Sequence, residues 1–316
     1  MTPLRALLCL TLLTLGLGAA PVEPSAAKGQ KPNYTFLVPS KLKKTKITFT
    51  WLVLIYTQTE IPANEERGHG LLSEGYEAGT LENIRRQMQN FETDVAKFTR
   101  GEVGYNLAVV VLPKERPLRS LHWLPDFKKY GWTRGQDIKE ELDQYAGNKT
   151  GWFDNVQVFF PLSGQFKPPA AYGGGEYVRD NMTRSQLSIG VGQKYTGERH
   201  VGIWHESIHG LEAQYWFDKR SPRAIKQPFD FDQKPIIMHN QESFGYTGAG
   251  GTPETLECYY RWMGDLITGN IRDLRKTGPK GYMNAKNTGL GFGQEMFKKG
   301  PARYEYKFKP GGPFPQ

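Results

Sequence analysis

Residues 201–217 read VGIWHESIHGLEAQYWF, and the five residues His205-Glu206-Ser207-Ile208-His209 near their centre decide the reading of the chain. The segment has helical patterning, with Trp204, Ile208 and Leu211 spaced to bury one side. On such a helix the two histidines stand four residues apart, so both imidazoles leave one face and can grip a single zinc ion. Glu206 leaves an adjacent part of the helix, where it can take a proton from a water on the metal without binding the metal itself. Zinc lowers the pKa of such a water to about 7, which supplies a nucleophile at neutral pH. With 6 His in 316 residues, the pattern arises by chance in about one of a hundred such chains. The helical context makes accident rarer still.

The flanking sequence places this helix in a larger order. Ser185–Val191 (SQLSIGV) alternates as an exposed or edge strand does, and Gly173-Gly174-Gly175 before it reads as a flexible loop. That glycine run lacks the Lys-Ser/Thr ending of a phosphate-binding loop. Tyr105–Leu112 and Val156–Leu162 are apolar runs of the kind found in buried strands, and Lys46–Ile61 is a β-branched and aromatic strand entering a core. Leu81, Ile84, Met88, Phe91, Val95 and Phe98 make one apolar stripe on a helix that Thr80 can cap and Gly101 ends. A Trp- and charge-rich insertion with a helix around Asp137–Tyr145 separates the two buried strands.

Downstream, a loop with Pro222, Pro228 and Pro235 leads to Thr252-Pro253-Glu254, a helix start with a cap, a first-position proline and an acid in the first turn. That helix is expected to run to about Lys276. The order predicts an α+β fold with a small C-terminal helical subdomain. The expected boundaries are a signal peptide over 1–20, a linker over 21–45, the main domain over 46–275 and a Gly/Pro-rich tail over 276–316.

Arg5, the apolar run Leu7–Leu17 and the small residues Gly18, Ala19 and Ala20 read as an export signal, and the run is too short for a membrane span of roughly 20 residues. The expected mature protein is secreted, with no transmembrane segment. Cys9 lies in the signal, which leaves Cys258 alone and excludes an internal disulfide or a cysteine-based metal site. The net charge is +9, spread along the chain with a small cluster at Lys41-Leu42-Lys43-Lys44. No nucleic-acid-binding motif accompanies it, so nucleic acid is excluded as a partner. A basic exported protein could associate with anionic cell-surface polymers; the plainer reading is a solvated surface.

The His205–His209 motif and the element order resemble the zincins, zinc metallopeptidases with a twisted mixed sheet, a long backing helix, a cleft-lining edge strand and a second helix bearing the motif. Leu81–Phe98, Ser185–Val191 and Val201–Phe217 fall in that order, and the resemblance covers about residues 46–270. It implies zinc ligation by His205 and His209 and general-base work by Glu206. The metzincin branch would carry Gly and His at positions 212 and 215, where this chain has Glu212 and Tyr215. Ile236-Ile237-Met238-His239 is similar to the methionine turn of that branch.

A catalytic zinc keeps three protein ligands and an open position. His239, Glu242 and Glu254 compete for the third place. We assign His239, the single histidine after the motif, and keep Glu254 as the gluzincin-like alternative. The Tyr246-to-Glu254 spacing is similar to that of secreted toxin-type gluzincins. Glu242 is a ligand or a residue that orients His239. Tyr246 is a candidate donor to a tetrahedral oxyanion, with a packed turn tyrosine as the plainer role. Glu212, a turn beyond His209, orients that ligand or caps the polar face.

The expected function is secreted zinc-dependent peptide hydrolysis, with a peptide or protein substrate held by strand addition near Ser185–Val191. Two alternatives stay open: a non-catalytic secreted binding module on a zincin-like fold, and a zinc hydrolase acting on a non-peptide substrate.

Overall fold

The central strand Ile47–Tyr56 is buried at every residue, and that follows from its place in the sheet. The computed structural model describes residues 34–42, 44–131, 133–146, 153–161, 174–179, 182–189, 201–212, 215, 237–248, 252–275, 277–287 and 290–299. The expected export signal, most of the expected linker, the Pro222–Pro235 loop and the end of the expected tail lie outside the described residues.

In chain order the elements are β1 (Phe36–Val38), β2 (Ile47–Tyr56), β3 (Gln58–Ile61), β4 (Leu72–Gly75), α1 (Thr80–Phe98), β5 (Val103–Leu112), β6 (Trp123–Leu124) and β7 (Lys129–Tyr130). Then come the single turn α2 (Lys139–Glu141), β8 (Asn155–Pro161), β9 (Gly174–Arg179), β10 (Met182–Ile189) and α3 (Val201–Glu212). A 3-10 segment, Ile237–Phe244, precedes α4 (Pro253–Thr268), β11 (Arg272–Asp273), β12 (Lys286–Asn287) and α5 (Gly293–Lys299).

Six strands form one mixed sheet in the order β1-β5-β2-β8-β10-β9. The four inner strands run parallel, and β1 and β9 are antiparallel at the two sides. Parallel strands covered on both faces carry near-continuous apolar sequence, which accounts for the runs in β2, β5 and β8. Phe49, Trp51, Val53 and Ile55 point to one face, where Ile84, Met88, Phe91 and Val95 of α1 meet them together with Ile203, Trp204, Ile208 and Leu211 of α3. Leu52, Leu54 and Tyr56 point to the other face. There the insertion between β5 and β8 supplies the cover through Leu118, Leu121, Ile138, Leu142 and Phe153. Each such buried side chain stabilises the fold by about 1.5–3 kcal/mol.

Several expectations change. The strand over Ser185–Val191 is not the edge: β10 lies between β8 and β9, and β9 is outermost among the described residues. Gly174 and Gly175, read as flexible loop, begin β9 and pair with Gln186 and Ser185. Their weak strand propensity is overridden by ladder hydrogen bonds. The end of the expected linker belongs to the fold, because β1 pairs with β5 and Tyr34 sets its ring edge-on to Phe153. Ser40 Oγ and Lys41 N also donate to the buried Glu92 carboxylate of α1, at 3.1 and 3.2 Å.

At the other end, α4 stops at Thr268 and not near Lys276. Gly269 adopts φ +72, a left-handed conformation that ends a helix and suits glycine. The C-terminal elements form no separate subdomain: Leu266, Ile267, Phe292 and Met296 are buried in the same core as α1 and α3. The tail boundary at 276 therefore falls inside the packed structure. Finally, Thr80 is the first helical residue of α1, and Gly79 occupies the capping position with φ 84.

Candidate metal centre

Helix α3 packs along β9 and β10 and carries the paired histidines. Its buried side is fixed by Trp204, whose ring is stacked near Tyr260 at 5.8 Å and lies 6.4 Å from both Phe91 and Phe98. With Trp204 committed inward, His205 and His209 are half-buried on the opposite side.

The chain then returns. The segment Ile237–Phe244 delivers His239, the most exposed of the three, to the same point. His209 Nε2 lies 3.1 Å from His205 Nε2 and 3.2 Å from His239 Nε2. Among the described residues, these three histidines form the group of ligand atoms, all within 4.8 Å of one another, that could hold a metal ion. The preceding Met238 is fully buried; its backbone N–H donates to Glu212 Oε1 at 2.6 Å, and its carbonyl accepts from Trp262 Nε1 at 2.9 Å.

Glu212 is the pivot of this arrangement. It is fully buried, and its second oxygen lies 2.7 Å from His209 Nδ1. A carboxylate accepting there keeps the proton on Nδ1 and turns the Nε2 lone pair toward the other histidines. Of the two roles read for this residue, orientation of His209 is the one the geometry supports. Glu212→Ala leaves the Met238 and His209 N–H donors without their acceptor, at about 1–3 kcal/mol each. We expect a loss of about 2–6 kcal/mol in urea unfolding, with Glu212→Gln milder because its amide oxygen still accepts.

Electrostatics separates the three imidazoles. Burial pushes His205 down to about 3, helped by His209 and His239. Burial and the charge of His209 also lower His239. For His209 burial acts downward too, but the hydrogen bond and charge of Glu212, with the charge of Glu206, outweigh it and raise the pKa. A metal ligand must present an unprotonated nitrogen, so His205 and His239 are ready as free bases at neutral pH and proton competition falls on His209.

Glu206 is buried, with Oε1 3.9 Å from His205 Nε2. That is beyond hydrogen-bond reach. It stands beside the histidine group without belonging to it.

Tyr246 is a correction. Its ring is 2 % exposed, its hydroxyl donates to Asp265 Oδ2 at 2.9 Å, and it accepts from the Arg272 N–H at 2.8 Å. Asp265 also takes Tyr282 Oη at 2.5 Å and Arg100 Nη2 at 2.9 Å. The phenol is thus committed to a buried clamp between α4 and the C-terminal segment, the packed role. Glu242 and Glu254 are both exposed and lie outside the histidine group, Glu254 in the first turn of α4.

The tyrosine that does reach the centre is Tyr259, whose hydroxyl lies 2.5 Å from His205 Nδ1. Burial, with the charges of Glu206 and Glu212, pushes that hydroxyl well above its ordinary pKa, so it stays neutral. Sequence reading passed over it. The available signal was the spacing Tyr259, Trp262, Asp265, three polar-tipped residues every third position along the buried side of α4.

Compared with known proteins, the chain matches no family model and no curated protein. No helix among the described residues is long and apolar enough to cross a membrane.

Proposed function

We propose that the protein is an exported zinc-dependent peptidase of the zincin kind, with His205, His209 and His239 holding the metal and Glu206 acting as general base. The observation that carries this reading is the convergence of three imidazole nitrogens from two separate segments, with a buried carboxylate beside them. Three nitrogens bound tetrahedrally to zinc at about 2.0–2.1 Å sit roughly 3.3 Å apart. The 3.1 and 3.2 Å separations from His209 are close to that spacing, and all three ligand atoms lie within 4.8 Å of one another. The donor set also fits: three neutral imidazoles are a known catalytic zinc set that leaves a fourth position open.

His205, His209 and His239 would hold the zinc, which would supply Lewis-acid chemistry and a water whose pKa is lowered to about 7. Glu206 accepts the proton from the attacking water and returns it to the leaving amine. Glu212 holds His209, and through the Met238 N–H it also holds the segment that presents His239. Among the described residues β9 is the outermost strand, and its backbone groups support a place for an extended peptide by strand addition. The long helix α1 behind the sheet and the antiparallel β9 beside α3 support the zincin resemblance. The expectation of export rests on residues 1–20 of the sequence.

The test uses the purified mature chain, with metal content measured after zinc reconstitution and a diverse peptide library incubated with and without chelator. Close to one zinc per chain and chelator-sensitive cleavage is the expected result. A chain that takes up no zinc sinks the reading, and a loaded chain that cleaves no peptide moves it to the non-peptide hydrolase or the binding module.

A further inference from the structure

The two ligands on α3 are held from behind in different ways. His209 backs onto a carboxylate, which only accepts; His205 backs onto the hydroxyl of Tyr259, which can donate or accept. We propose that Tyr259 is a positioning residue for the metal: its oxygen accepts the Nδ1 proton of His205 and so presents the Nε2 lone pair to the site. This rests on the zinc reading above.

The chemistry requires such a partner. A neutral imidazole has one N–H, and the nitrogen that binds a metal must be the other one. His205 Nε2 is the nitrogen facing His209, at 3.1 Å, so the proton belongs on Nδ1, where Tyr259 Oη lies 2.5 Å away. Without metal the same atoms can bond in the opposite sense. The hydroxyl then donates to Nδ1, and Nε2–H points to His209 Nε2. The hydroxyl therefore serves both states, and metal binding selects one of them.

The fold holds Tyr259 where this is needed. The residue is 3 % exposed on α4. A Cβ at Gly264 would collide with the Phe98 carbonyl, so glycine there lets α4 press against the end of α1. Arg100, just past α1, bonds Asp265 of α4 at 2.9 Å and ties the same two helices. The phenol oxygen is thereby held by packing before any metal arrives.

Tyr259→Phe removes only the oxygen. The expected result is zinc binding weakened about 10–100-fold in competition against a chelating dye. The metal-free unfolding midpoint should move by no more than about 2–4 °C. The absorption bands of the cobalt-substituted protein shift as well, a change that lost packing alone does not produce. Tyr260→Phe, altering the neighbouring ring stacked at 5.3 Å on Phe98, keeps wild-type zinc affinity. In nitrogen-15 spectra of the wild-type zinc protein, His205 carries its proton on Nδ1. Wild-type affinity in Tyr259→Phe, an equal loss in Tyr260→Phe, or an unprotonated Nδ1 overturns the inference while leaving the zinc site standing. A wild-type chain that binds no zinc overturns both.

Discussion

Glu206→Gln binds zinc as the wild-type chain does and hydrolyses peptides about 10²–10⁴-fold more slowly, the range general-base catalysis contributes. The two side chains have nearly the same shape, but an amide cannot take up a proton from water. Glu206 stands 3.9 Å from His205 Nε2 and outside the histidine group, so the substitution leaves every proposed ligand in place. Elemental analysis and kcat/KM on the same preparations separate the two effects. If Glu206→Gln loses zinc to the extent that His205→Ala does, the carboxylate is a ligand and the assigned role is wrong.

His239→Ala is expected to weaken zinc binding by on the order of 10²–10³-fold. Structural zinc sites gain about 10–16 kcal/mol from four ligands, so one ligand contributes roughly 2.5–4 kcal/mol. Because His239 is exposed, its loss leaves no buried cavity and the fold should survive. Glu254→Ala should leave zinc affinity unchanged and cost less than about 1 kcal/mol of stability, through the helix dipole at the start of α4. Glu242 is exposed and lies outside the histidine group, so Glu242→Ala should also keep wild-type affinity. Titrating zinc against the three single variants decides between the two ligand sets. Release from Glu254→Ala with retention in His239→Ala would establish the gluzincin-like alternative.

What could be read directly was whatever a single element encodes along its own length. The stripe Ile84, Met88, Phe91, Val95 predicts α1, and all four residues are buried on it. Thr252-Pro253 predicts the start of α4, where the Thr252 side chain accepts from the Thr255 N–H. The four-residue spacing of His205 and His209 predicts a shared face, because helix geometry alone sets it. The edge was misplaced for a related reason: pairing partners of a strand are not written in its alternation, and the glycines of β9 carry no apolar signal.

The sequence by itself determined the helix, the paired histidines, the carboxylate between them and the α+β order of elements. It narrowed the third ligand to His239, Glu242 and Glu254 and favoured His239, but local periodicity carries no information about where a long loop returns. The tertiary structure decided that His239 joins the pair and that Tyr246 does not face them. It also decided that Glu212 and Tyr259 hold the two imidazoles of α3 from behind. Those relations depend on how α1, α3 and α4 pack around Trp204, Gly264 and Asp265. A hydrogen bond between side chains 54 positions apart exists only once that packing has brought their helices together.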